Sequence, residues 1–396
     1  MKHQTLQVSE QTHLYGASGL PLASNLSIHS LSSSFSNVTN SYKFYWFLAI
    51  LTEIQNNQSP TLALQELAAR MLSLVWYPVN TFRLSFGKQD RLSSVVASIN
   101  TLENLPGHAN SLDVFDACVR VLQSNDCSLR NLQKEIASII RYVPFRFLRP
   151  WFSSELRGAK DSMVHPKIVQ LSQEAFYAED VEKPLYRFAE DQTSIEIHPT
   201  WFAYLVQHLR ILRDYCLWNL VSYLQKRNPN VPGVVNKLFA PQSRDLKRAR
   251  DFWEVVRKHS NSNLTCIYSQ ATLSSKSYSL DHFLPWSFVA HDQLWNLTPT
   301  TASVNSSKSD KLPCIDTYFD NYCQQQFEAI QVVGVKGSQR LLEDYLILLQ
   351  EPSISSALSM ELGDFSDALR KTIMPQLQIA ENMGFTGSWT YLSRLA

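Results

Sequence analysis

The fold of the C-terminal half is decided by three short strings: Ser279-Leu-Asp-His-Phe-Leu-Pro-Trp-Ser287, Leu294-Trp-Asn-Leu-Thr-Pro-Thr300 and Val304-Asn-Ser-Ser-Lys-Ser-Asp310. Pro285 ends a strand in the first string, because proline cannot donate to a sheet ladder. The chain then runs through an irregular loop and returns as a second strand around Trp295–Thr298. Asn305 follows on a short helix. The strings therefore predict a strand, a loop, a second strand and a helix in close succession.

Asp281 and His282 carry the chemistry that this hairpin suggests. They are consecutive, and consecutive side chains of a strand point to opposite faces, so Asp281 can face a metal while His282 faces an attacking water. Hydrolysis of a phosphodiester needs a base, a cation and rigid positioning of both. An unperturbed histidine pKa of about 6.5 suits the base. With Asn305 as a second oxygen ligand, the pattern predicts one Mg²⁺ per site, with Mn²⁺ as a substitute.

The three strings together resemble the HNH nuclease family, which has a ββα-metal fold. The resemblance covers about 50 of the 396 residues, from Cys266 onward. It implies these roles: His282 as general base, Asp281 as metal ligand, Asn296 as the residue that braces the loop and the base, and Asn305 as final metal ligand. The last position is Asn where many relatives carry His, a variant also seen in the HNH domains of CRISPR effector nucleases. Lys308 lies in the Lys-Ser-Asp that follows the last ligand in many members, and we expect it to contact a phosphate.

The cysteines depart from the pattern of many relatives, which bind a structural zinc through two CxxC pairs. Cys266-Ile-Tyr-Ser269 keeps only the first cysteine of a pair, and Cys314 has no partner at that spacing. We therefore expect no structural zinc. Helix packing must then hold the hairpin, with Trp286, Phe288 and Trp295 as candidates. In the loop between the strands, His291 and Asp292 fit an ordinary polar loop better than a second catalytic pair.

The whole chain reads as mainly α. Hydrophobic residues make up 44% of it and glycine is scarce, with 11 residues. Helices are predicted from Ser41 onward, after Ser59-Pro60, near 90–103, 112–123, 129–142 and 166–177, over about 201–226, and at 340–350 and 365–383. Leu185–Phe188 and Ser194–Ile197 predict a short hairpin. These patterns divide the chain into four predicted segments: an irregular N-terminal arm at 1–40, a helical domain of unknown role at 41–228, a basic helix plus nuclease domain at 229–325, and a C-terminal helical segment at 326–396.

Two basic stretches each leave two interpretations open. The helix predicted at 243–258 carries cations on its polar side, namely Arg244, Lys247, Arg248 and Arg250, which could contact phosphates or form an ordinary solvated face. The stretch 142–152 interleaves aromatic residues with Arg146 and Arg149, which could stack bases and pair phosphates. Packing of a proline-bent loop is the more ordinary interpretation of that stretch. The net charge of only +1 means that any nucleic acid must be bound by a local basic surface.

These patterns predict a metal-dependent endonuclease that nicks or cuts DNA. By analogy with similar proteins, it would act in bacterial defence against foreign DNA, with protein partners from a defence operon. The helical region at 41–228 could recognise substrate or a partner. The alternatives are a catalytically silent or partner-gated DNA-binding subunit of a defence complex, and a nuclease acting on RNA. The absence of a disulfide framework and of a signal peptide favours the cytoplasm, and no apolar run is long enough for a membrane segment.

Overall fold

The computed structural model describes residues 19–23, 25–36, 38–179, 182–239, 245–260, 263–273 and 278–392. The chain forms two compact units, one made of 1–229 and 237–240 and the other of 230–236 and 241–396. Both are mainly helical with short antiparallel strands, which confirms the predicted fold class. No helix in the described part of the chain is both long and apolar enough to cross a membrane.

The first unit is built from helices that mostly lie where apolar spacing predicted them. They are α1 (Ile28–Ser33), α2 (Tyr42–Asn57), α3 (Leu64–Asn80), α4 (Leu92–Glu103), α5 (Ser111–Gln123), α6 (Arg130–Ile139), α7 (Val143–Phe147), α8 (Asp161–Tyr177) and α9 (Pro199–Arg227). Of the predicted irregular arm, residues 1–18 lie outside the described residues. In its remainder α1 is helical, and Leu20, Leu31 and Phe35 are buried. Apolar side chains thus anchor a stretch whose composition is mostly polar.

A three-stranded antiparallel sheet completes this unit. The predicted hairpin forms from β2 (Tyr186–Phe188) and β3 (Ser194–Ile197), and β1 (Thr61–Ala63) pairs with the other side of β3. The helix expected to open at Ser59-Pro60 therefore begins only at Leu64, whose N–H donates to the Thr193 carbonyl at 2.9 Å. The prediction of its start was wrong because the strand partner lies more than 130 residues away in sequence.

The aromatic core of the first unit is tied together by hydrogen bonds. Trp46 Nε1 donates to the Tyr186 hydroxyl at 3.1 Å, and that hydroxyl donates to the Pro144 carbonyl at 2.6 Å. Both rings are fully buried, so these bonds satisfy polar atoms that water cannot reach. The stretch 142–152 packs its apolar members inward through α7 and a 3₁₀ turn at Arg149–Phe152, with Val143, Phe147, Trp151 and Phe152 all buried.

The second unit holds the hairpin of the quoted strings. Its elements are α10 (Lys247–His259), β4 (Ser279–His282), α11 (Trp286–Val289), β5 (Leu297–Thr300), α12 (Ala302–Lys308), α13 (Ile315–Lys336), α14 (Glu343–Leu349), α15 (Ile354–Leu358) and α16 (Leu362–Asn382). The second strand begins two residues later than expected, because Leu294–Asn296 forms a 3₁₀ turn.

One hydrophobic core joins the hairpin to the helices around it. Phe252 of α10, Phe288 of α11, Tyr322 of α13 and Phe365 of α16 are all fully buried in this core. The helices after residue 326, expected as a separate segment, therefore share a core with the hairpin. Burial of large aromatic side chains of this kind supplies most of the driving force that holds such a hairpin in place.

Candidate functional site

The hairpin register places Asp281 and His282 on opposite faces of β4. Asp281 pairs with Thr298 and His282 with Leu297, so neighbouring side chains alternate across the two-stranded sheet. Both residues are buried, with 3% and 8% of their surface exposed. A buried aspartate needs hydrogen-bond donors or a cation, and a buried histidine needs partners for its ring nitrogens. The contacts of each residue therefore define the site.

The Asp281 carboxylate is held by two donors. The Tyr268 hydroxyl donates to Oδ2 at 2.7 Å, and Lys308 Nζ lies 3.3 Å from Oδ1 and 3.1 Å from Oδ2. Burial raises the pKa of the Tyr268 phenol well above its usual value, and the negative charge of Asp281 raises it further. Tyr268 therefore stays protonated and keeps donating to the carboxylate.

Lys308, at the end of α12, is buried with no exposed surface. Besides pairing with Asp281, its ammonium donates to the His282 carbonyl at 2.6 Å. These contacts join the end of the helix to two consecutive residues of β4. The phosphate contact that we expected for Lys308 remains a prediction, and it requires the side chain to leave this pair.

His282 has a carboxylate partner that the sequence did not reveal. Its Nε2 lies 2.7 Å from Asp292 Oδ1, and Asp292 is partly exposed in the loop between the strands. We had expected Asp292 to belong to an ordinary polar loop. The sequence feature that could have indicated this contact is that Asp292 is acidic and lies in a loop that must fold back beside the strand. A neighbouring carboxylate of this kind fixes the orientation of an imidazole.

Asn296 holds the loop that follows β4. Its Oδ1 accepts from the Leu284 N–H at 2.8 Å, and its Nδ2 donates to the Leu284 carbonyl at 2.9 Å. Its own carbonyl accepts from the Phe283 N–H at 2.8 Å. Among the described residues it makes no hydrogen bond with His282. The side chain thus contacts the predicted loop directly, whereas any effect on the base must pass through the backbone.

Asn305 lies on α12, whose N-cap Thr301 accepts from the Val304 N–H at 3.3 Å. The residue is half-buried, and within the described residues its side-chain amide makes no hydrogen bond. Residues three apart on a helix are neighbours on one face, so Asn305 is next to Lys308, which contacts Asp281. The helix also packs against β4. Asn305 therefore shares a helix face with Lys308, and its role as a metal ligand stays a prediction.

A divalent cation fits this donor set in part. The Asp281 carboxylate and the Asn305 amide oxygen are hard ligands of the type that Mg²⁺ takes, with water completing its coordination. The Lys308 ammonium opposes a second cation at Asp281 unless it moves. No group of three or more His, Cys, Asp or Glu residues suited to a metal occurs in the described ranges. A bound cation would therefore depend on Asp281, Asn305 and water.

Polar contacts from α13 support the hairpin. The Tyr322 hydroxyl donates to the Trp295 carbonyl, and the Tyr322 ring stacks on Phe283 with centroids 4.0 Å apart. Gln326 Nε2 donates to the Leu297 carbonyl at 2.9 Å. Two of the proposed packing residues, Phe288 and Trp295, are buried, whereas Trp286 is half-buried. The backing of the hairpin is therefore more polar than the sequence suggested.

The basic helix α10 places its cations in different environments. Arg244 lies outside the described residues. Lys247 and Arg250 are exposed, as a phosphate-contacting face requires. Arg248 instead pairs with Asp344 at 3.0 Å, and Asp344 accepts from the Leu294 N–H at 2.9 Å. Arg248 therefore stabilises the approach to β5, which is a structural role beside any contact with nucleic acid.

Comparison with known proteins identifies a family for this segment alone. No curated protein and no solved structure matches the chain. The segment that holds the hairpin, Asp281, His282, Asn296, Asn305 and Lys308, at residues 266–314, matches the family model of the HNH endonucleases.

Proposed function

We propose that this protein is a metal-dependent endonuclease that hydrolyses phosphodiester bonds in DNA. One observation carries the proposal: within the segment that matches the HNH endonucleases, one ββα unit gathers a buried aspartate, a histidine paired with a carboxylate, and a half-buried asparagine. This combination supplies a base and two oxygen ligands, which are the groups that the reaction needs.

His282 is the general base in this proposal. Asp292 orients the ring through Nε2, and the neutral imidazole has a lone pair that can accept a proton from water. Asp292 also stabilises the imidazolium that results. Asn296 acts as a positioning residue, since it fixes Leu284, two residues after the base.

Asp281 and Asn305 would hold the divalent cation. When bound, such a cation neutralises charge on the phosphate and on the departing oxygen. Tyr268 orients the Asp281 carboxylate by its hydrogen bond. Lys308, once released from Asp281, would supply a positive charge beside the scissile phosphate. Mg²⁺ is the ion that we propose, with Mn²⁺ as its substitute.

The test uses purified protein with supercoiled plasmid and with structured RNA, in Mg²⁺, in Mn²⁺ and in EDTA. We expect the wild type to cut the plasmid in either metal and His282→Ala to be inactive. His259→Ala is the matched control, because His259 is an exposed histidine of the same unit. If the wild type and His282→Ala leave both substrates equally intact, the protein is not a nuclease under these conditions, and preferential loss of RNA would identify the substrate as RNA.

A partner-gated nuclease is the second candidate, and the Asp281–Lys308 pair favours it. As long as the ammonium neutralises Asp281, the carboxylate is less available to a metal. A partner that moved α12 would release it. The role in bacterial defence is a finer proposal that follows from the resemblance alone, and the cytoplasmic location is one that follows from the cysteine pattern. Protection of cells carrying the gene against phage, lost in His282→Ala, would support the defence role.

A further inference from the structure

A cleft of about 610 Å³ opens in the first unit, far from the nuclease motif in sequence. It is lined by the start of α2, the end of α6 and the residues that follow it up to Arg149. Among the described residues that line it, five are cationic and none is acidic. The five are Lys43, Arg91, Arg141, Arg146 and Arg149. Such a concentration of one sign in a concave site focuses a positive potential.

Carboxylates of the protein compensate little of this charge. Arg146 pairs with Asp161 at 3.1 Å, through an aspartate side chain that is 74% exposed. Within the described residues, the other four cations of the cleft form no ion pair and no side-chain hydrogen bond. The nearby Asp90 is buried and accepts hydrogen bonds from the Ser41 backbone and hydroxyl, at 2.8 and 2.6 Å, and from Leu92. Its oxygens therefore serve the local backbone.

Two further observations indicate an anionic ligand. Arg146 Nε is buried and has no hydrogen-bond partner in the part of the chain that the structure describes, which is costly for a donor of a charged group. Burial, together with the charges of Arg149 and Arg146, lowers the pKa of Lys43 from its usual value to about 8. The fold thus keeps several cations together at a cost that a bound anion would remove.

The cleft also offers an aromatic surface. Tyr142 is 45% exposed as a residue, and the guanidinium carbons of Arg141 and Arg146 lie 5.5 and 5.0 Å from its ring centroid. Planar rings and guanidinium groups of this kind are what bases stack upon. The volume lies within the range of roughly 300–1,000 Å³ that is typical of small-ligand sites. Both features suit a nucleotide-sized ligand.

We propose that this cleft binds the phosphate groups of a nucleotide, with Lys43, Arg146 and Arg149 as the main phosphate contacts and Tyr142 as the base platform. The nucleotide is either free in solution or part of a single strand, since both present the same phosphate and base chemistry. This site is distinct from the proposed nuclease site and does not depend on its activity.

The experiment uses the full chain as His282→Ala in EDTA, so that no probe is cut. Calorimetry measures binding of ATP, of inorganic tripolyphosphate and of a twelve-residue oligothymidylate. Arg149→Ala is the main variant, because Arg149 is exposed and its removal leaves no buried partner unpaired. Arg210→Ala is its control, since Arg210 is an exposed arginine of the same unit outside the cleft.

We expect at least one probe to bind, with a loss of about tenfold or more in Arg149→Ala and in Lys43→Met and no change in Arg210→Ala. Binding of ATP identifies a free nucleotide as the ligand, and binding of the oligonucleotide alone identifies a strand. If Tyr142→Ala binds ATP with unchanged affinity, Tyr142 does not stack on the base and that part of the proposal is wrong. Absence of binding by all three probes, or equal affinities in Arg149→Ala and Arg210→Ala, would overturn the proposal. Circular dichroism of each variant verifies that it is folded.

Discussion

Two lysines, one in each unit, show opposite ways of placing a charge away from water. Lys308 is fully buried, yet it has a carboxylate at 3.1 Å and a backbone carbonyl at 2.6 Å. Lys43 is only half-buried, but no carboxylate pairs with it within the described ranges, and its neighbours Arg146 and Arg149 are also cations. The charge of Lys308 is compensated by groups of the protein itself. For Lys43, we propose that the compensating charge is a bound anion.

The two lysines should therefore contribute to the stability of the fold with opposite signs. A buried ion pair becomes strongly unfavourable when one member is removed, because the remaining charge is stranded. Removal of an uncompensated cation has the reverse effect, because it removes the unfavourable free energy of keeping that charge partly buried among other cations. Substitution of each lysine by methionine, which keeps the length and removes the charge, should therefore change the free energy of unfolding in opposite directions.

The largest effect is expected for Lys308→Met. It leaves the Asp281 carboxylate buried without a cation, so we expect the free energy of unfolding to fall by about 3–5 kcal/mol. Urea denaturation of the full chain measures the change. The double variant Asp281→Asn with Lys308→Met should recover most of the loss. A loss below about 1 kcal/mol would mean that the pair is not formed in solution.

Added metal should stabilise Lys308→Met more than it stabilises the wild type. In Lys308→Met a divalent cation can replace the missing ammonium, so millimolar Mg²⁺ should raise the unfolding temperature by more than it does in the wild type. EDTA should reverse the gain. An equal response of Lys308→Met and Asn305→Ala with Lys308→Met would show that Asn305 is not a ligand. This measurement does not require the protein to be active.

Asp292→Asn tests the partner of the proposed base. The amide keeps the size of the side chain but removes the charge, so we expect kcat for plasmid nicking to fall about 10- to 100-fold with little change in KM. Asp310→Asn is the matched control, because Asp310 is an exposed aspartate of the same segment. Equal rates in the two variants would show that Asp292 does not assist the proposed base.

Lys43→Met should produce the smallest effect, and with the opposite sign. Its pKa is lowered from 10.5 to about 8 in the folded protein, so the folded state disfavours the proton that the unfolded state binds. The wild type carries this cost fully below pH 8 and loses it as the pH rises from 8 to 10.5. The variant should therefore be more stable by about 1–2 kcal/mol at pH 7, after allowance for partial exposure.

Denaturation at pH 7 and pH 10 measures this effect, with Lys226→Met, an exposed lysine of α9, as control. The charged groups that act on Lys43 are Arg149 and Arg146. A variant less stable than the wild type at pH 7 would mean that Lys43 is already compensated inside the fold.

Local pattern predicted the elements of the site, and tertiary contacts determined its details. Asp281 and His282 could be placed on a strand and Asn305 on the following helix, because strand alternation and a following helix are local properties. The pairing of Lys308 with Asp281 could not, since the two residues are 27 positions apart and the chain between them must fold back. The same holds for β1, whose partner is distant, and for the cleft, which joins α2 to the end of α6. Side-chain pairs across loops carry no periodic signal.

Asn296 has a consequence for how the hairpin is aligned. With its carbonyl bonded to Phe283 and its amide bonded to both polar backbone groups of Leu284, a single residue continues the strand ladder past the end of β4. Sliding β4 by one position would break all three bonds at once and would also exchange the faces of the aspartate and the histidine. This asparagine therefore fixes the register of the hairpin, and with it which face carries Asp281 and which carries His282.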